Sequence, residues 1–224
     1  MGPHCKGKRP ASKCARRGRF LYVFLLALWL LLPGQASAAS SLPEQGPTVA
    51  VRRAMNEILY LLAELKDASR SAQRQWEIEQ VVRRSFNYEA IAERSLGEAW
   101  NALNSVERRQ YVRVFLQLLR DDVTDRLREY SSGQVEYLSE TAGEDASQVV
   151  TAPAGPSVDT RIEFQVVRRP GGWILDDVIC DGVSIVTNYQ TQFSRILREG
   201  SFSDLMEHMK QKALIAQLAG RIDS

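Results

Sequence analysis

Few residues of this chain have the types and spacing that catalysis or metal binding requires. After residue 38 the sequence contains one histidine, His208, and one cysteine, Cys180, which is too few for a metal cluster or a Ser–His–Asp triad. Ser184 lies in Gly-Val-Ser-Ile-Val, which lacks the second glycine of a nucleophile elbow, and it is better interpreted as a helix N-cap. We therefore predict no cofactor and no metal site, and we expect Cys180 to be a small buried residue.

The adjacent carboxylates Asp176 and Asp177 are the strongest candidates for acid–base chemistry. Neighbouring residues of a strand point to opposite faces of a sheet, so the two cannot act together on one substrate. One of them could still face a pocket and act as a general base on a small apolar substrate, if its pKa were raised beside oxyanion donors. An NTF2-like enzyme of this kind is an alternative that the sequence leaves open.

The first 38 residues have the three parts of a secretory signal. Seven basic residues and no acid lie among the first nineteen, an apolar run covers Phe20–Leu32, and Ala36-Ser37-Ala38 offers a cleavage site. The apolar run would form a helix of about 20 Å, whereas the hydrocarbon core of a bilayer is about 30 Å thick. We therefore predict that residues 1–38 are a cleaved signal peptide and that the protein is exported.

Cleavage would change the charge of the chain. Seven of the 29 basic residues would leave with the signal, so 22 would remain against 27 acids, and the formal charge would become −5. A mildly acidic domain has no electrostatic reason to bind nucleic acid. With Cys180 as its one remaining cysteine, the mature chain would have no internal disulfide, and its 186 residues suit a single domain with a sizeable core.

Helical periodicity dominates both ends of the mature chain. We expect a flexible linker over residues 39–47, a domain over 48–212 and a C-terminal tail over 213–224. The first predicted helix begins at Thr48, and the second covers residues 72–84 with Trp76, Ile78 and Val82 facing inward. A third runs from an Asn87 cap to Gly97, and a fourth from a Ser105 N-cap to about Tyr130. After Gly182 the helical period returns and ends at Gly200, and a last helix begins near Ser203.

Between these helices the apolar period becomes two, as in strands. Four strands are predicted, at Val135–Glu140, Ser147–Thr151, Thr160–Arg168 and Trp173–Val178. The alternation indicates a sheet with one covered face and one face toward solvent. Helices, then an antiparallel meander, then helices again predict an α+β domain with several helices on one face of a four-stranded sheet. Such layers can pack tightly or leave a slot, and periodicity alone favours tight packing.

Two segments of the sequence carry a family resemblance. The first is FNYEAIA from Phe86, continuing through SLG to Trp100, and the second is WILDDVICDGVSIV from Trp173, followed by NYQ and QF. Together they resemble the MlaC (toluene-tolerance) family of periplasmic phospholipid-binding proteins. The likeness covers about residues 49–212, and Cys180 is an unusual residue within the second segment.

This resemblance implies a fold and a function. It implies an NTF2-like sheet and helices with an apolar cavity between the layers, which encloses the acyl chains of a phospholipid ligand. It further implies a soluble periplasmic carrier that exchanges lipid with an outer-membrane lipoprotein complex and with an inner-membrane ABC transporter bearing MCE domains. Two other functions stay open, namely an adaptor with a solid core and a carrier of hopanoid or other terpenoid lipids.

The apolar stripes that face one another suggest which residues would line the cavity. By this hypothesis the lining consists of Phe115, Leu119, Val123, Leu127, Ile162, Phe164, Val166, Trp173, Leu175, Ile185, Tyr189 and Phe193. We expect part of this set to be ordinary core.

Overall fold

Helices cover an antiparallel sheet in the computed structural model, which describes residues 46–128, 130, 135–141, 143–153 and 161–222. The predicted signal and residues 39–45 of the predicted linker lie outside the described residues. The helices are α1 (Pro47–Glu64), α2 (Ser71–Ser85), α3 (Tyr88–Leu96), α4 (Ala99–Ala102), α5 (Ser105–Arg128), α6 (Ile185–Glu199) and α7 (Phe202–Ile222), and the strands are β1 (Val135–Thr141), β2 (Ala146–Pro153), β3 (Ile162–Arg169), β4 (Gly172–Cys180) and β5 (Val183–Ser184).

The strands follow one another in space in the order in which they occur in the chain, β1 to β5, and each pairs antiparallel with the next. The α+β class and the four long strands are as predicted. In β2 and β3 buried residues alternate with more accessible ones, which confirms the expected pattern of one covered face.

A fifth, very short strand was not predicted. Asp181 and Gly182 have φ angles of 50° and 78°, as the two central residues of a type I′ hairpin turn do, and Val183–Ser184 returns alongside β4. The helical period was predicted to return after Gly182, with Ser184 as the N-cap, and no strand was predicted between the two. A two-residue strand has no periodicity that could have revealed it.

Strand β4 contains a bulge at Asp176. Gln165 pairs with Asp177 and Val166 pairs with Leu175, so Asp176 is an extra residue on β4. As a result both Leu175 and Val178 lie at buried positions although they are three residues apart. Strict alternation therefore fails here, and it cannot be used to assign Asp176 and Asp177 to opposite faces.

One predicted helix cap is confirmed, and another lies one residue earlier than predicted. Ser184 caps α6, because its hydroxyl oxygen accepts the backbone N–H of Thr187 at 3.1 Å, as expected. The cap of α5 is Asn104 and not Ser105: the Asn104 side-chain oxygen accepts the N–H groups of Val106 and Glu107 at 2.8 and 3.0 Å. The Glu107 carboxylate in turn accepts the N–H of Asn104 at 2.9 Å, which completes a capping box.

The helices that pack most closely on the sheet are α1, α3 and α6, and α5 packs mainly on other helices. Trp76 is 59% exposed, so its predicted inward orientation is wrong. Helix α7 continues without a break through residue 213, where the tail was expected to begin, as far as Ile222. Within the part of the chain that the structure describes, no helix has the length and apolar composition needed to cross a membrane.

Candidate functional site

The structure brings the predicted lining residues into one apolar core. Eleven of the twelve are buried, namely Phe115, Leu119, Val123, Leu127, Ile162, Phe164, Val166, Leu175, Ile185, Tyr189 and Phe193. Trp173 is partly buried and packs against the same core. The set is thus contiguous with the interior of the domain, and contact of these residues with a ligand stays a prediction.

Part of this core is a closely packed aromatic cluster between α5 and α6. The ring centres of Phe115 and Tyr189 are 5.1 Å apart, and those of Tyr189 and Phe193 are 5.2 Å apart. Tyr111, which was not among the predicted lining residues, stacks on Phe115 at 5.8 Å. Aromatic pairs at these separations attract each other beyond simple burial, so the contacts add to the stability of this part of the core.

Polar groups fix the two tyrosines of the cluster. The Tyr111 hydroxyl lies 2.7 Å from the Ser95 hydroxyl, and the Tyr189 hydroxyl donates to the Asp122 carboxylate at 2.5 Å. Burial raises the pKa of Tyr111, and burial together with the Asp122 carboxylate raises the pKa of Tyr189, so both stay neutral. Lys212 lies over the Tyr189 ring at 5.0 Å and 3.8 Å from Asp122.

Helix α1 contributes a set of interior residues that are not among the predicted lining residues. The exposed fraction of Val51, Met55 and Ile58 is at most 1%. Helix α1 packs directly on β1, β2 and β4. Their spacing of four and three residues was a visible signal of a buried face. The layer between helices and sheet is therefore formed by α1 as well as by the predicted elements.

At one edge of this layer, a pocket of about 290 Å³ lies between α1, α2 and β4. We call it the Trp173 pocket, and its lining is Ala50, Arg53, Glu57, Arg84, Ser85, Trp173 and Leu175. Two predicted lining residues, Trp173 and the buried Leu175, form its apolar side. Arg53 and Arg84 supply positive charge, and Arg84 forms an ion pair with Glu57. The pocket thus has an apolar wall that continues into the core and, beside it, positively charged side chains.

The two carboxylates proposed for catalysis hold helices against β4. Asp176 accepts the side-chain amide of Asn87 at 2.6 Å and lies 3.0 Å from the Arg94 guanidinium, so it joins β4 to α3. Asp177 accepts the Ser184 hydroxyl and, at 3.3 Å, the N–H of Val186, which joins β4 to the N-terminus of α6. This arrangement explains both residues structurally and does not present a base to a substrate.

The same contacts bring together the two segments that carry the family resemblance. The N–H of Asn87 donates to the carbonyl oxygen of Leu175 at 2.7 Å, and Phe86 forms a parallel bridge with Leu175 beside the bulge. The first segment therefore attaches to β4 where the second begins. Residues far apart in the chain serve one joint between α3 and the sheet.

Cys180 is buried, as expected, and forms no disulfide with any residue that the structure describes. His208 is exposed on α7. Among the described residues there is no group of three or more His, Cys, Asp or Glu side chains that could hold a metal ion.

Comparison with known proteins gives three findings. The sequence profile of the MlaC protein family matches residues 52–211. No curated protein gives a significant match to the sequence. Among solved structures, the chain is similar to the phospholipid-binding protein from Ralstonia solanacearum, determined in complex with a phospholipid, with a TM-score of 0.63, 16% identity and coverage of 76% of this chain and 98% of that chain.

The structural similarity at this low identity shows a shared fold. The profile match extends over more than half of the 224 residues, and it includes both segments quoted above and the joint that they form. The chain therefore belongs to the MlaC family.

Proposed function

We propose that this protein is a soluble periplasmic carrier that binds the acyl chains of a phospholipid between its helices and its sheet. The observation that carries the proposal is the apolar layer formed by α1, α5, α6 and the sheet, which reaches the surface at the Trp173 pocket. Membership of the MlaC family supports it, as does the similar fold of a protein described as phospholipid-binding.

The energetics of the cargo explain why such a layer is needed. A sixteen-carbon chain loses about 13 kcal/mol when it enters water, at about 0.8 kcal/mol for each CH₂ group. A lipid with two such chains cannot cross an aqueous compartment at a useful rate without a protein that shields them. The aliphatic part of the layer, which includes Leu119, Val123 and Val166, can rearrange around a chain more readily than the aromatic cluster can.

We place the mouth of the binding site at the Trp173 pocket. Acyl chains would pass Trp173 and Leu175 into the layer, and the phosphate would stay near Arg53 and Arg84. Guanidinium groups pair well with phosphate because their N–H donors match its oxygens. In this arrangement the apolar and polar parts of one lipid meet surfaces of matching character.

The carrier would act between two membrane systems. We propose, from family membership, that it exchanges lipid with an outer-membrane lipoprotein complex and with an inner-membrane ABC transporter bearing MCE domains. The chain shows no phosphate-binding loop for a nucleotide, so the direction of transfer would be set by those partners. The signal predicted for residues 1–38 would place the protein in the compartment between them.

A transfer assay tests the carrier function. The protein is expressed from its full coding sequence and recovered from the periplasm, and its mass is used to verify that it begins at Ala39. It is then added to donor vesicles that contain a self-quenched fluorescent phospholipid and to unlabelled acceptor vesicles. We expect the rate of dequenching to rise in proportion to protein concentration. A rate equal to that of vesicles alone would contradict the proposal.

A further inference from the structure

A second pocket, lined by residues of four helices, is rich in arginine. It has a volume of about 390 Å³ and lies between the end of α2, the start of α3, α4 and the first half of α5. We call it the arginine pocket, and its lining is Arg83, Tyr88, Glu89, Trp100, Arg108, Arg109, Val112, Arg113 and Leu116. Four arginines and one glutamate meet here, in a chain whose formal charge without residues 1–38 is −5. This concentration of positive charge is therefore local.

Two of the four arginines are held by the walls of the pocket. Arg108 donates to the carbonyl oxygen of Trp100 at 3.1 and 3.3 Å, and its guanidinium lies 5.0 Å from the centre of a Trp100 ring. Arg83 forms an ion pair with Glu79 at 2.8 Å and lies 5.8 Å from the centre of the Tyr88 ring. Both guanidinium groups are thus oriented before any ligand arrives.

The other two, Arg109 and Arg113, are exposed and form no hydrogen bond or ion pair with any residue that the structure describes. They are four residues apart on α5 and therefore adjacent on its surface. Like charges at this spacing destabilise a helix, so the pair does not serve stability. The single carboxylate in the lining, Glu89, accepts the hydroxyl of its neighbour Tyr88 at 3.3 Å.

The base of the pocket is apolar. Leu116 is buried, Val112 is half-buried, and both lie on the same face of α5 as the arginines. A ligand that fits this surface has an anionic group for the guanidiniums and a short carbon skeleton whose C–H groups can lie against the base. Arginine binds phosphate oxygens with two parallel N–H donors, which makes a phosphate ester the best match.

We propose that the arginine pocket is a phosphate-binding site, separate from the acyl-chain layer, whose two free guanidiniums are Arg109 and Arg113. Its ligand is a glycerol phosphate group, either in the head of an anionic phospholipid at a membrane surface or in a free phosphate ester. The pocket shares no lining residue with the Trp173 pocket. The inference therefore does not depend on the proposed cargo.

The test compares the double variant Arg109→Gln/Arg113→Gln with the control Arg195→Gln/Arg198→Gln, which removes the same charge from exposed positions on α6. Binding of glycerol 1-phosphate is measured by titration calorimetry. Binding to vesicles of phosphatidylcholine, with and without phosphatidylglycerol, is measured by co-sedimentation. We expect the first variant to bind at least about tenfold more weakly than wild type and the control to bind as wild type does.

The two arms identify the source of the phosphate. If wild type binds the free ester saturably and Arg109→Gln/Arg113→Gln does not, the site accepts soluble esters. If the variant loses only its binding to phosphatidylglycerol vesicles, the site recognises lipid head groups. Equal losses in both variants, or no binding of either probe by wild type, would overturn the inference. Loss of co-purified lipid from the first variant would also overturn it, because the arginines would then belong to the cargo site.

Discussion

Asp177 shows at the scale of single residues how β4 holds α6. Its carboxylate accepts the Ser184 hydroxyl and the N–H of Val186, which both lie at the start of that helix. We expect Asp177→Ala to lower the free energy of unfolding by about 1–3 kcal/mol, because both donors lose their acceptor. Urea denaturation measures the change. Glu144→Ala, at an exposed position, is the control, and equal stability of the two variants would contradict the assigned role.

The raised pKa of Asp121 predicts that the free energy of unfolding depends on pH. Burial raises its pKa from 3.8 to about 6, against the opposing effect of the Arg120 guanidinium, and Asp125 and Asp122 add to the rise. Its Oδ2 atom is buried without a hydrogen-bond partner among the described residues, which suits a protonated carboxyl. A raised pKa in the folded state means that this group contributes stability that is complete below about pH 4 and is lost as pH rises through about 6.

The measurement is a series of urea denaturations of wild type and Asp121→Asn from pH 4 to pH 7. Each unit of pKa shift corresponds to about 1.4 kcal/mol, and part of the loss occurs below pH 4, so relative to the variant wild type should lose about 2 kcal/mol across this range. The comparison removes the titration of all other groups. Parallel stability curves for the two proteins would show that Asp121 titrates normally.

Individual residues were predictable where local chemistry decides their role. Ser184 precedes an apolar helical period and caps it. Ser105 and Asn104 are both good caps, and Glu107, three residues after Asn104, was the signal that favoured the latter. Trp76 was placed inward by its residue type, but it lies about 200° round α2 from the buried Arg74 and Ile78, so helix geometry assigns it to the outer face.

Among the elements, the Asp181-Gly182 turn between β4 and β5 gives a clear test of backbone conformation. Gly182 has a φ of 78°, and a Cβ atom at this position would meet nothing within 4 Å. Any cost of Gly182→Ala therefore comes from the backbone alone, and we expect a loss of about 1 kcal/mol in the free energy of unfolding. The control is Gly171→Ala, where the surrounding space is equally open and φ is not in the positive region. Equal effects would contradict this explanation.

The long elements were predictable because each repeats its apolar residues at a period of 3.6 or 2 over several turns or pairs. The bulge at Asp176 was not, because it depends on a contact with a distant segment: Phe86 and Asn87 bind at Leu175 beside the bulge, and a pattern confined to one segment contains no record of such a partner. Strand β5 pairs with the end of β4 directly before it. Its local signal was the Asp181-Gly182 dipeptide, which is typical of a two-residue hairpin turn and was missed.

At the scale of the whole molecule, the order of helices and strands was enough to predict the layered architecture. Two short segments were enough to predict the family. The position of the Trp173 pocket did not follow, because its lining comes from α1, α2 and β4, which are separated by up to about half of the chain. Facing stripes identified buried residues correctly, yet they could not distinguish the packed aromatic cluster from the part of the layer that we propose receives lipid.

A substitution at the proposed mouth tests that assignment. We expect Trp173→Glu to reduce the amount of lipid that co-purifies with the protein by about tenfold or more, because an acyl chain would have to pass an ionised carboxylate. Trp76→Glu makes the same chemical change at an exposed position outside the pocket and should leave the lipid content unchanged. Circular dichroism verifies that both variants fold. Equal lipid content in the two would place the mouth elsewhere.

The central claim, that this protein holds phospholipid, is tested most directly by native mass spectrometry. The protein is purified without detergent from the periplasm of a Gram-negative host, and the bound material is extracted and identified. We predict a stoichiometric mass increment that matches a phospholipid. A mass equal to that of the protein alone, unchanged after incubation with phospholipid vesicles, would contradict the account, and an increment matching a hopanoid would assign a different cargo.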